Sequence, residues 1–168
     1  GVAGITIRKA YASISGGALN LANASITVEN CIFADNIAWN YGGAIFADDW
    51  SNPVIRNCKF SGNSAAYYGQ GGALYFDQNS SPVIEGCTFW NNTADQGGAA
   101  YFVDGSPSIT QSTFFNNLPG VFYLGAGCSL TAEKTILAYN RGPAAAVAGP
   151  GLATLACCDI SGNHGGDW

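Results

Sequence analysis

Apolar residues in this chain come in short alternating stretches. Ile26 and Val28 make one, Cys31 and Phe33 the next, and Gly, Asn, Pro or Ser interrupts them every few residues. No window sustains the i, i+3, i+4, i+7 spacing of an amphipathic helix. Brief runs rich in β-branched and aromatic residues, closed by turn formers, predict strands of a few residues each.

Two words recur along the chain. One is Gly-Gly-Ala-aliphatic, at Gly16 to Leu19, Gly42 to Ile45 and Gly71 to Leu74, with a weaker copy at Gly97 to Ala100. The other is Cys-x-Phe-x-x-Asn, at Cys31 to Asn36, Cys58 to Asn63 and Cys87 to Asn92. It decays through Ser112 to Asn117 and Thr135 to Asn140, and returns at Cys158 to Asn163. Successive Asn residues lie 27, 29, 25, 23 and 23 positions apart. From the first Gly to the Cys position is 15 or 16 residues in every unit, with Pro119 and Gly142 as degenerate equivalents of the Gly, and from Cys to Asn is always 5. Only the corner between the Asn and the next Gly-Gly varies, at 6, 8, 5, 2 and 2 residues. A fixed frame with one variable corner is what a coil needs if each turn is to close on the one below it. A unit this long holds about three short strands, too little for a propeller blade. The expected fold is all-β: a right-handed parallel β-helix solenoid of about six rungs of 23–29 residues, forming a single domain over residues 1–168.

Parity locates a bend in each rung. Ile84 and Cys87 both suit an inward position, yet strict alternation across three residues would put them on opposite faces. A two-residue bend at Glu85-Gly86 removes the conflict, and Glu29-Asn30 and Arg56-Asn57 match it. Asn and Gly tolerate a left-handed backbone. Stacking then predicts two inward ladders, Phe33-Phe60-Phe89-Phe114-Leu137-Ile160 and Cys31-Cys58-Cys87-Ser112-Thr135-Cys158. It also predicts a ladder of Asn amides and an outward ladder Glu29-Arg56-Glu85 of alternating charge.

Composition narrows the function. Hydrophobic residues make up 48% and charged residues 10%, which excludes a disordered chain. The net charge is −5 and the six basic residues are scattered, so no basic stripe for nucleic acid exists. No run of 18 apolar residues exists to insert in a membrane as a helix. The single histidine, His164, and the absence of a Cys-x-x-Cys pair argue against a zinc site. Cys31, Cys58 and Cys87 are expected as free, buried thiols. Cys128 and Cys157 stand off the cysteine ladder, with Cys157 facing outward.

The paired words, for example Gly42 to Ile45 with Phe60-Ser61-Gly62-Asn63, resemble the repeats of chlamydial polymorphic outer membrane proteins. The phrase Ser80 to Phe89 and the closing stretch Cys157 to Trp168 are similar to the broader group of secreted bacterial right-handed β-helix repeat proteins. The resemblance covers nearly the whole chain. It implies an extracellular or cell-surface, bacterial-type location, a role as adhesin or structural fibre component, and a segment of a longer protein.

The candidate chemistry is sparse, and no catalytic residue is assigned. Asp48 and Asp77 each lie six residues after the first Gly of their word, so they should stack, with Asp49 beside them. Stacked carboxylates bind a cation such as calcium or raise one another's pKa, and the same residues suit a solvated turn. The first three variable corners carry Trp39, Tyr41, Tyr67 and Tyr68, and Trp90 should face outward on the same flank. Such rings either stack on sugars or anchor a surface protein, or else cover the flank. The leading expectation is a non-catalytic solenoid module that associates with itself, or with neighbouring parts of a longer chain, through the helix ends, since uncapped rungs expose strand edges. The alternatives are a carbohydrate-active β-helix enzyme (a polysaccharide lyase or hydrolase) and a carbohydrate-binding module.

Overall fold

The structure, a computed structural model, describes residues 1–147 and 151–164; the last four residues of the closing stretch lie outside them. The chain is an all-β parallel solenoid of about six turns. Each turn lays one strand in each of three long sheets. The first sheet has seven strands, beginning Val2–Ala3, Thr27–Glu29, Val54–Arg56. The second also has seven, beginning Thr6–Arg8, Ile32–Ala34, Lys59–Ser61. The third has six, from Leu19–Ala22 to Ala145–Val147. A short corner sheet of Tyr11–Ala12, Ile37–Ala38 and Ser64–Ala65 precedes the third.

The ladders expected from the repeat are the observed registers. Phe60 pairs with Phe33 and Phe89, Phe89 with Phe114, Phe114 with Leu137, and Leu137 with Ile160. The rings of Phe33, Phe60, Phe89 and Phe114 stack nearly parallel, with centroids 4.9, 4.6 and 4.5 Å apart, and all four are fully buried. Leu74 pairs with Ala100, Ala100 with Phe122 and Phe122 with Ala145, which puts Pro119 and Gly142 in register with Gly97. Glu29 and Glu85 flank Arg56 in register, and the guanidinium pairs with Glu85 at 3.0 Å.

The Gly-Gly word has a steric cause. The first glycine takes a positive φ, as at Gly42 (57°), and the second has no room for a side chain: a Cβ on Gly43 would lie 2.2 Å from the carbonyl oxygen of Gly72. The bend between the first and second sheets is left-handed, as expected, at Asn30, Asn57 and Gly86, and Gln111, Lys134 and Cys157 continue it. A second left-handed column precedes each ladder asparagine, at Asp35, Gly62, Asn91, Asn116, Tyr139 and Gly162, and Lys9 continues it before Ala10 on the first turn. Where the residue is neither Gly, Asn nor Asp, that conformation costs roughly 1–2 kcal/mol.

The cysteine ladder works through its γ atoms. Cys31, Cys58 and Cys87 each donate from Sγ to the carbonyl two residues back, across the bend, at 3.1, 3.1 and 3.4 Å. Each of the N–H groups of Cys31 and Cys58 donates to the sulfur one turn on. Ser112 and Thr135 do both jobs with a hydroxyl. The position selects a short side chain whose γ atom both donates and accepts, which explains why the word decays from Cys to Ser to Thr. All six cysteines are free, and Cys157 is exposed on its bend. Burial and the nearby Asp104 push the Cys128 thiol up to about 12.

Asn36, Asn63, Asn92, Asn117, Asn140 and Asn163 form an unbroken amide column. Each Nδ2 from Asn36 to Asn140 donates to the next Oδ1 at 2.9–3.0 Å. Nδ2 also donates to a main-chain carbonyl of the preceding turn, as Asn92 does to Phe60 at 3.1 Å. From Asn63 onward each Oδ1 further accepts the main-chain N–H of the preceding asparagine, as Asn92 does from Asn63 at 3.0 Å, and Asn36 Oδ1 accepts that of Ala10. Asn92→Ala therefore leaves the Asn63 N–H without its acceptor in the interior and takes one hydrogen bond each from Asn63 Nδ2 and the Phe60 carbonyl. A loss on the order of 3–5 kcal/mol is expected in urea unfolding, against roughly 1–2 kcal/mol for Asn91→Ala, an exposed position whose left-handed backbone disfavours alanine.

Candidate functional site

The variable corner carries large side chains outward. Its first two loops stack in register: the N–H groups of Ala66 and Tyr67 donate to the carbonyls of Ala38 and Trp39 at 3.0 and 2.7 Å, and the Asn40 side chain donates to the Tyr67 carbonyl at 2.7 Å. The second loop, two residues longer, closes through a left-handed Tyr68 (φ 47°) followed by Gly69, whose N–H donates to Asp95. This geometry stacks Trp39 on Tyr67, centroids 5.4 Å apart, with Tyr68 edge-on to Tyr67 at 4.6 Å. The three rings are 44%, 51% and 75% exposed. The rings partly cover one another.

Tyr41 and Trp90 belong elsewhere. Tyr41, in register with Gln70, leans onto the outer face of the third sheet, 4.9 Å from Tyr75 and 6.3 Å from Phe46. There it joins a second aromatic column, Phe46-Tyr75-Tyr101-Tyr123, with neighbouring centroids 5.5, 5.3 and 4.8 Å apart. Sequence reasoning missed this column, although each ring stands four residues after the first glycine position of its unit. Tyr75 is only 5% exposed, and burial together with the charge of Asp77 pushes its hydroxyl well up; that hydroxyl donates to Asp77 at 3.4 Å. Trp90 stands half-buried on the outer side of the second sheet, in register between Ser61 and Phe115, and stacks with no ring of the corner. The five aromatics grouped on one flank by sequence thus occupy three places.

The two carboxylates do stack. The N–H of Asp77 donates to the Ala47 carbonyl at 2.9 Å, setting Asp77 beside Asp48 on the adjoining turn. Asp77 is occupied locally, accepting from the Gln78 N–H at 2.7 Å and from Tyr75. Oδ1 of Asp48 is buried without a hydrogen bond. Burial, and then the charges of Asp49 and Asp77, raise the Asp48 carboxyl above its ordinary value. Among the described residues no group of three His, Cys, Asp or Glu side chains is placed to hold a metal ion.

A raised carboxyl means that the native state holds its proton more tightly than the unfolded chain. Stability is then favoured at acid pH and lost as the pH rises through the native pKa. Asp48→Asn is therefore expected to melt higher than the native chain at pH 7, with the gain shrinking as the pH falls below the ordinary Asp value of ~3.9, where both states take up the proton. Millimolar calcium that raises the native melting temperature, but not that of the Asn variant, would assign a cation to this pair. No protein-family model, curated protein or solved structure matches the chain.

Proposed function

We propose that this chain is a non-catalytic, extracellular structural module of adhesin type, with the corner rings as its contact surface. The observation that carries this reading is the cluster of Trp39, Tyr67 and Tyr68, held proud of a rigid wall and open to solvent. Exposed aromatic clusters on a fixed scaffold contribute contact area with little ordering cost. The partner is a glycan or a surface protein. The resemblance to polymorphic outer membrane protein repeats supports a place at a bacterial surface. The Trp39→Ala, Tyr67→Ala double variant is expected to keep the native melting temperature within a few degrees and to weaken binding on a glycan array or to host-cell extracts by about tenfold or more. Unchanged binding would remove the corner from the contact surface.

The same module is proposed to stack end to end, on neighbouring turns of a longer chain or on a second copy, into a fibre. Support comes from the sheets themselves. Strand pairing repeats in one register from turn to turn, and the inward residues Val2 and Ile7 of the first turn and Leu155 and Ile160 of the last are only half-buried. Light scattering behind size-exclusion chromatography, with negative-stain imaging of the same samples, is expected to show mass rising with concentration and rods one solenoid wide. A monomer at every concentration would rule out self-stacking.

A further inference from the structure

The corner runs 6, 8 and 5 residues on the early turns and 2 and 2 on the late ones. Where it shortens, the outline of the solenoid steps inward. An open recess of about 270 Å³ lies at the step, lined by Asn91, Thr93, Asn116, Leu118 and Arg141. A second, of about 440 Å³, shares Arg141 and reaches His164.

Backbone register builds this site. The N–H groups of Leu118, Arg141 and His164 donate to the carbonyls of Asn92, Asn117 and Asn140 at 3.0, 2.9 and 3.0 Å, so Thr93, Leu118, Arg141 and His164 form one outward column. Asn91 and Asn116 sit beside it on the left-handed bend. Arg141 Nε donates to Asn116 Oδ1 at 3.2 Å, and Asn116 Nδ2 donates to Asn91 Oδ1 at 2.7 Å. That relay holds the guanidinium in place through Nε alone. The outer guanidinium nitrogens and the Asn91 amide nitrogen remain as donors. The Thr93 hydroxyl, which donates to Ser64 at 3.2 Å, keeps lone pairs to accept.

Among the described residues, no counter-charge is paired with Arg141. Arg56 and Lys134 pair with Glu85 and Glu133, while among the described residues Arg141 makes no ion pair and no carboxylate lines either recess. A guanidinium fork fixed at one edge and free at the other matches the two oxygens of an oxyanion. Leu118, 39% exposed, adds an apolar wall.

We propose that this recess binds an oxyanion (carboxylate, sulfate or phosphate) presented by a small ligand, with Arg141 as the anion contact and Asn91 and Thr93 as hydrogen-bonding partners for neighbouring hydroxyls. The site is separate from the aromatic corner and does not depend on the role given to it. Solvent and salt screen an open site of this kind, so the expected affinity is on the order of millimolar.

The test is an NMR titration of the isotope-labelled full chain with sulfate, phosphate and glucuronate, at constant ionic strength set by chloride, with glucose as the uncharged control. Saturable shifts are expected at the amides of Thr93, Leu118 and Arg141 for at least one of the three anions, and none for glucose. Saturation by glucuronate alone assigns an acidic sugar, and saturation by the inorganic ions assigns a free or ester-borne anion. Arg141→Gln is expected to weaken binding about tenfold or more. Arg141→Lys, which keeps the charge without the fork, should fall between, and Arg56→Gln should bind as the native chain does. Linear shifts for all three anions, an equal response to glucose, or an Arg141→Gln variant that binds like the native chain would overturn the proposal.

Discussion

Every turn of this solenoid has to return its chain to the same place one strand spacing along the axis, roughly 4.8 Å away. That demand falls hardest on the corners, where strands end and main-chain groups would otherwise be buried unpaired. The amide of each ladder asparagine meets it by bonding to the turn before and the turn after. The γ atom at the cysteine position meets it at the opposite bend. Once these two corners are tied, the strands between them have no freedom of register, and the phenylalanine rings fall on one another as a result. The stacked rings contribute burial and contact; the polar corners decide which residue lies over which.

Most of this was legible in the sequence because corner chemistry narrows the choice of residue. Only Asn offers both an amide donor pair and an amide acceptor at that length, so its spacing marks the turns even where the Gly-Gly word has dissolved into Pro119 or Gly142. Bends at Asn30, Asn57 and Gly86 declare themselves by residue type. Those at Gln111, Lys134 and Cys157 do not, because neighbouring turns impose the conformation on residues that would not choose it alone.

Side-chain direction on the outer surface was harder to read. Counting from the glycine position would have found the rings of Phe46, Tyr75, Tyr101 and Tyr123. Placing Tyr41 required knowing that the corner ends just before it, so that its ring turns toward the third sheet while Trp39, two residues earlier, stays on the corner. Outer residues are held by few contacts, and a shift of one position changes the face they occupy. The uneven corner divides the surface into a raised aromatic part on the early turns and a cut-back, cationic part on the late ones.

The asparagine column also gives the molecule a direction. Within the column each side-chain amide donates to the asparagine on its C-terminal side and accepts from the one on its N-terminal side, so the donor-to-acceptor order is the same at every step. The two ends are therefore chemically unlike. Two copies meeting by a twofold axis would bring like ends together, while head-to-tail contact joins unlike ends. Contacts of that second kind do not close on themselves. A filament built by such contacts would be polar, with one growing end distinguishable from the other.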